Sequence, residues 1–273
     1  MPELLIASGI ALTVLLLLVA VYLFFIIRPR AKAPQNAALL SDYAHRGLHG
    51  NGVPENSRAA FELACQKGVG IELDVQLSRD GVVMVYHDYD LSRLTPCDKK
   101  LCDLSADELQ RLPLAGTDET IPTFREVLSL VNGRVPLLIE LKGEHLDSSL
   151  CPRVAELLKD YTGAYCIESF NPILLYRMRK LLPRAYYGLL YTNTIRDKKK
   201  LTAVNLAVSC MLLNFLARPN FIAYGEADRH SLPVRITTRL FRAPRFVWTI
   251  RSDESLAAAH ALGEYPIFEH CNL

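Results

Sequence analysis

No C-x-x-C pair occurs among the seven cysteines of this chain, and their odd number and irregular spacing give no disulfide framework. A thioredoxin-type centre and a cysteine-based zinc site are therefore not expected, and reduced thiols favour a cytoplasmic location. Net charge is almost absent as well. A balance of +2 over 273 residues is too small to argue for nucleic acid as a partner. No G-x-G-x-x-G follows any strand-like run, so a dinucleotide-binding sheet would lack its phosphate turn. There is no internal repeat and no low-complexity tract.

Charge is missing altogether from residues 4–27. As a helix this stretch spans about 36 Å, more than a hydrocarbon core of about 30 Å. A secretory signal is the competing reading, but such a signal wants a basic segment ahead of the apolar run. Only Glu3 precedes it here, whereas Arg28, Arg30 and Lys32 follow it. The positive-inside rule then leaves the N-terminus outside and the remainder in the cytosol. The organisation expected is a single-pass membrane anchor over 1–27, a proline-containing linker over 28–40 and one large domain over 41–273.

Within that domain β-rich runs fall at 42–45, 70–77, 82–86, 136–141, 165–168, 186–191, 221–224, 245–250 and 266–268. Helical patterns lie between most of them, at 55–67, 123–131, 150–161, 172–182 and 253–262. Strands alternating with helices predict an α/β protein with a parallel sheet. Nine runs exceed an eightfold barrel by one, but Ser78-Arg79-Asp80-Gly81 is too short for a parallel crossover and Asp-Gly signals a hairpin. With the third run as an added antiparallel strand, eight remain for a TIM barrel. An open doubly wound sheet is the alternative.

Glu72 and Asp74 lie two apart on the second run and so share a face, opposite Ile71, Leu73, Val75 and Leu77. They could both meet solvent on an edge strand. In a barrel, however, helices cover the apolar face, so the carboxylates look into the barrel and repel unless a cation sits between them. If Asp80-Gly81 form a two-residue loop, Arg79 pairs with Val82 and Asp74 stands opposite His87. A three-residue loop would slip that register. Glu140 and Lys142 end the fourth run, at the carboxyl end where barrel active sites form. Three carboxylates make an all-oxygen site suited to one hard cation, Mg²⁺ or Ca²⁺. Lys142 would then bind phosphate or pair with an acid. His45 and Arg46 end the first run, an imidazole suited to proton transfer beside a planar fork for phosphate oxygens. Asn56 or Ser57 can cap the next helix, and a functional role for Asn56 stays open.

His45-Arg46-Gly47, Pro54-Glu55-Asn56-Ser57, Glu72-Leu73-Asp74-Val75, Arg79-Asp80-Gly81 leading to His87-Asp88, Glu140-Leu141-Lys142, Ser169-Phe170 and Trp248-Thr249 occur in that order. In this the chain resembles the glycerophosphodiester phosphodiesterase family over residues 41–262. Seven motifs in order are specific where one tripeptide would not be. The resemblance implies a TIM-barrel enzyme that hydrolyses glycerophosphodiesters to glycerol 3-phosphate and an alcohol. It implies Glu72, Asp74 and Glu140 as cation ligands, His45 and His87 as acid and base, and Arg46 and Lys142 on the phosphate. Glu55 matches a position near the metal, and Trp248 one that lines the substrate pocket. The chain departs from the pattern at Glu168, where an uncharged residue is common; it is grouped here with the substrate contacts. It departs again at Glu269-His270-Cys271, in place of the usual Thr-Asp ending, which puts the last edge of the barrel in doubt.

An anchor suggests lipid-derived substrates, so lysophospholipase D-type cleavage is a second expectation. The basic stretches 177–184 and 196–200 would meet anionic headgroups or be solvated helix faces. A tethered, non-catalytic phosphodiester-binding module is the alternative from another class, against which the intact His and carboxylate set stands.

Overall fold

The structure, a computed structural model, describes residues 2–143 and 149–271. Its nine strands are β1 (Tyr43–Ala44), β2 (Gly70–Leu77), β3 (Val83–Val85), β4 (Leu137–Leu141), β5 (Tyr165–Ser169), β6 (Tyr186–Tyr191), β7 (Phe221–Gly225), β8 (Arg245–Ile250) and β9 (Tyr265–Phe268). Every neighbouring pair except β2 with β3 is parallel, and β9 pairs back onto β1, which also pairs with β2. The sheet thus closes on itself as a TIM barrel of eight strands, with β3 added antiparallel beside the end of β2. The last edge, in doubt from sequence, is secured by β9 on both sides.

The helices needed here are α1 (Pro2–Val21), α2 (Arg58–Lys67), α3 (Ala106–Leu109), α4 (Phe124–Val131), α5 (Leu150–Lys159), α6 (Pro172–Leu181), α7 (Thr194–Lys198), α8 (Ala203–Ser209), α9 (Asn214–Ala217), α10 (Leu232–Arg235) and α11 (Asp253–Ala261). Several start where a side chain satisfies the first free amides. Ser57 accepts from Ala60 N at α2, and Thr123 forms a reciprocal capping box with Glu126 at α4. The cap explains why α2 starts at Arg58, three residues later than its apolar pattern suggests.

Strand alternation sorts the core into two. Odd-numbered residues of β2 and β4, such as Ile71, Leu73, Val75 and Ile139, pack outward against the helices with Phe61, Phe124 and Val154. Inside the barrel a separate cluster of Tyr43, Leu138, Cys166, Tyr186, Phe221, Phe246 and Ile267 fills the lower part. Gly188 belongs to this inner layer for want of space. A Cβ there would lie 2.0 Å from the Phe221 ring, so the ring occupies what would be a side chain's volume. Above this plug the inner face turns acidic. The pairing aligns Asp74 with Glu140 and Glu140 with Glu168, putting carboxyls of β2, β4 and β5 at one level. No disulfide links cysteines among the described residues.

One expectation fails. Val75 pairs with Val85 and Leu77 with Val83, so the hairpin loop has three residues and Asp74 stands opposite Tyr86, whose N donates to Asp74 O. The register is slipped by one from the alignment of Asp74 with His87. The Asp80 carboxylate is the reason: it accepts from Ser78 Oγ (2.5 Å) and Ala106 N (3.0 Å), which ties the loop to the start of α3. Gly81 takes the left-handed conformation (φ +78°) that closes a three-residue turn.

Candidate active site

His87 reaches the site despite the slip, because β3 ends at Val85 and the chain after it is held by a single amide. Gln76 Nε2 donates toward the carbonyl oxygens of Tyr86 (2.8 Å), His87 (3.1 Å) and Asp88 (2.8 Å). Gln76 is buried and shares the inner face of β2 with Glu72 and Asp74. One strand therefore sets both the carboxylates and the loop that carries the imidazole. Sequence reading passed over Gln76; its place in the even-numbered series 72, 74, 76 was the available signal.

Glu72, Asp74 and Glu140 each present an oxygen within 4.8 Å of the others, and all three are buried. Lys142 Nζ lies 3.0 Å from Asp74 Oδ1 and 2.8 Å from Glu140 Oε1. Arg46 N donates to Glu72 Oε2 (2.8 Å), and Arg46 Nε lies 3.7 Å from Asp74 Oδ2. Arg46 adopts a left-handed backbone (φ +58°) that turns its amide inward, and Gly47 follows (φ +81°) against Ala60, where a Cβ would lie 2.9 Å from the alanine Cβ. Asn56 Nδ2 donates to Asp74 Oδ2 (2.9 Å). The helix cap and the site contact thus divide between Ser57 and Asn56.

These contacts do not balance the charge. Burial works to raise the Asp74 carboxyl, but Lys142, His87, Arg46 and the Asn56 amide hold it well below the carboxylate range. Burial lifts the Glu140 carboxyl to about 7 although Lys142 pulls the other way. Burial, then the charges of Asp74 and Glu140, push Glu72 far upward. Glu168, also buried and with Oε2 lacking a hydrogen-bond partner among the described residues, is pushed up by burial and by Glu140. A buried all-oxygen set that cannot ionise fully with the cations the chain itself supplies fits a hard divalent ion.

Glu55 is not part of this trio. It accepts from Arg46 Nη1 (2.6 Å) and from both terminal nitrogens of Arg93 (3.0 and 2.7 Å). Arg93 Nε continues to Asp88 (2.5 Å), and Asp88 Oδ1 lies 2.6 Å from His87 Nδ1. An alternating ionic chain therefore runs from Arg46 to His87. His45 is fixed from elsewhere. Its Nδ1 lies 2.9 Å from Glu269 Oε2, just past β9, and Glu269 is in turn bound by Arg251 and approached by His49 at 3.6 Å. Burial lowers the pKa of His45, against the opposing hydrogen bond from Glu269. Burial likewise lowers that of His87, against the charge of Asp74. Glu269, Arg93 and Gln76 are contacts that the sequence motifs did not disclose.

His45, Arg46, Glu72, His87, Glu140, Lys142 and Glu168 line one cleft of about 220 Å³, with Trp248 and Phe170 stacked edge to face (centroids 5.7 Å apart) on its wall. His87, Glu140, Lys142 and Phe170 also border an outer hollow of about 720 Å³ that extends over Asp88, Tyr89, Arg93 and Asn171. The site is thus an inner charged chamber opening to a wider vestibule at the carboxyl ends of the strands.

A glycerophosphoryl diester phosphodiesterase family model matches residues 45–268. The Bacillus subtilis (strain 168) protein YhdW, whose name assigns it to the glycerophosphodiester phosphodiesterases, is 29% identical over 249 residues, covering 82% of this chain and 94% of its own. A glycerophosphodiester phosphodiesterase from Caldanaerobacter subterraneus is 38% identical over 160 residues, which is 54% of this chain and 65% of that protein. Among solved structures, an Oleispira antarctica phosphodiesterase in complex with its product sn-glycerol-3-phosphate superposes with a TM-score of 0.67 at 26% identity, covering 84% of this chain and 92% of that one. The chain belongs to the glycerophosphoryl diester phosphodiesterase family and so to the phosphoric diester hydrolases.

Proposed function

We propose that the protein hydrolyses glycerophosphodiesters to glycerol 3-phosphate and an alcohol, with Glu72, Asp74 and Glu140 holding one divalent cation, Mg²⁺ or Ca²⁺. The observation that carries this reading is the convergence of two imidazoles, two cationic side chains, Glu72 and Glu140 on a single cleft, with the buried Asp74 carboxylate clustered against those two acids. When bound, the cation supplies neutralising charge to a phosphoryl oxygen. Arg46 and Lys142 face the remaining phosphoryl oxygens and hold the diester in place. One imidazole of the His45 and His87 pair takes the proton of the attacking oxygen, which is either water or the glycerol 2-hydroxyl, whose cyclic phosphodiester product water then opens to glycerol 3-phosphate. The other delivers a proton to the leaving alkoxide. Glu168 and Trp248 border the part of the chamber left for the glycerol, and Glu55 acts through Arg46 to set its orientation. The alcohol half projects into the vestibule.

The test is release of glycerol 3-phosphate from glycerophosphocholine by the full chain, with and without chelator. Release that depends on added Mg²⁺ or Ca²⁺ is expected; equal turnover in chelator would refute the cation's role. Absence of any hydrolysis across a headgroup panel would favour the binding-module reading.

Glu269 serves as a positioning residue for His45. A Glu269→Gln variant is expected to lower kcat by about 10–100-fold, as loss of an orienting carboxylate does. Because the Glu269 hydrogen bond raises the His45 pKa, its removal lets that pKa fall, and one limb of the pH–rate profile moves to lower pH. If the acid limb moves, His45 is the base; if the basic limb moves, it is the acid. An unshifted profile would mean that Glu269 is only structural.

We also read α1 as a single membrane-crossing anchor with the domain on the cytoplasmic side, the sequence dividing as 1–27, 28–40 and 41–273. The apolar helix over Glu3–Ile26 has a mean hydropathy of 2.9 and none of it is buried. The flanking Arg28, Arg30 and Lys32 and the lack of a disulfide among the described residues support the orientation. Cleavage of lysophospholipids is the second reading, and the anchor is the observation that favours it.

A further inference from the structure

Where α1 leaves the barrel decides which end of the enzyme meets the bilayer. Val21 keeps helical dihedrals (φ −58°, ψ −46°), so the π turn Tyr22–Ile26 continues α1 without a break. That turn and the residues after it are bonded to the segment that returns from β6 to β7. The Tyr22 hydroxyl donates to Cys210 O (2.9 Å), Asn214 Nδ2 donates to Ile27 O (3.0 Å), and Arg30 N donates to Pro219 O (2.8 Å). The order 22, 27, 30 tracks 210, 214, 219. The partner segment descends from the carboxyl end of β6 to the amino end of β7, so the anchor's root descends beside it. Followed backwards, the chain climbs toward the carboxyl ends of the strands, and α1 continues beyond them for 20 residues.

The surface at that end carries matching chemistry. Among the described residues after Ile27, the three most exposed large apolar side chains are Leu201 (75%), Val204 (71%) and Leu232 (67%). Leu201 and Val204 follow β6 and Leu232 follows β7, so all three lie toward the carboxyl ends. Leu232 and Tyr22 line the same hollow, of about 730 Å³, at the root of the anchor. Immediately before Leu201 come Lys198, Lys199 and Lys200, all exposed. Apolar side chains beside a lysine run, at the foot of an apolar helix, match a bilayer with anionic headgroups.

We propose that the carboxyl-end face, active-site mouth included, docks on the bilayer that α1 enters, with Leu201, Val204 and Leu232 reaching into its interface. This rests on α1 being an anchor. The vestibule beyond His87 then faces the membrane, and the substrates it meets first are diesters whose alcohol or acyl portion resides in lipid. A domain hung by its amino end would take its substrates from solution.

The depth of tryptophan tests this, because Trp248 is the only one in the chain. In a Trp248→Phe background, the full chain carries a single new reporter: Val204→Trp, Leu232→Trp, or Gln66→Trp at the opposite end. Each variant is reconstituted into phosphatidylcholine–phosphatidylglycerol vesicles with brominated acyl chains. At least twofold quenching is expected at positions 204 and 232, and none at 66. Equal quenching at all three, or quenching at 66 alone, overturns the docking while leaving the anchor intact. A chain that fails to float with vesicles at alkaline pH overturns the anchor and the docking together. Hydrolysis of soluble glycerophosphocholine by the unmodified chain reports on the proposed reaction independently.

Discussion

Replacing either His45 or His87 by alanine is expected to lower kcat on glycerophosphocholine by about 10²–10⁴-fold, the range a positioned general acid or base contributes. The reason lies in how each imidazole is held. Glu269 fixes one ring nitrogen of His45, and Asp88 fixes one of His87, so each ring turns its other nitrogen to its surroundings. Burial keeps both pKa values below the ordinary 6.5. The base is therefore deprotonated at neutral pH, and the acid limb of kcat/KM should lie below pH 6.5. As pH falls through that limb the base takes up a proton and activity is lost. The double variant should be little worse than either single one, because the two histidines act on one transfer. Near-normal turnover in either single variant would sink the assignment.

Asp74→Asn is expected to do more than remove one of the three proposed cation ligands. Asp74 is 1% exposed and faces Lys142, Arg46 and Asn56 at once. Its charge is the one that stays ionised, while Glu72 and Glu140 are pushed upward. The amide would leave Lys142 with Glu140 alone and cost about 3 kcal/mol of stability, as breaking a buried ion pair does. Activity should fall by on the order of 10³-fold with the loss of several kcal/mol of charge stabilisation. Excess Mg²⁺ or Ca²⁺ should raise the melting temperature of the parent chain and leave that of the variant almost unmoved. A variant that gained as much as the parent would show that the cation sits elsewhere.

Much of the fold was legible because the relevant periods are short. All nine strands lie where the β-rich runs fall, and three of them, Gly70–Leu77, Tyr186–Tyr191 and Arg245–Ile250, agree to the residue. Glu72 and Asp74 could be placed on one face because the strand period is two. The hairpin register could not be read, because Asp-Gly signals a two-residue loop only when the aspartate side chain is free. Here it binds Ser78 and the start of α3, a contact decided 26 residues away. The clamps on the histidines were illegible for the same reason. Glu269 meets His45 across 224 positions of sequence, and Glu55 meets Arg93 across 38. Local patterns report the elements and their faces; the partners of a charged side chain depend on closure.

That closure also fixes a schedule for biosynthesis. His45 follows β1 directly, yet it gains its carboxylate partner only when the ribosome has produced β9, the strand that closes the ring, and Glu269 after it. Until then β1 and β8 both present unpaired edges, and the unfinished chain is open to wrong pairing. Catalytic competence would arrive only with the strand that closes the ring.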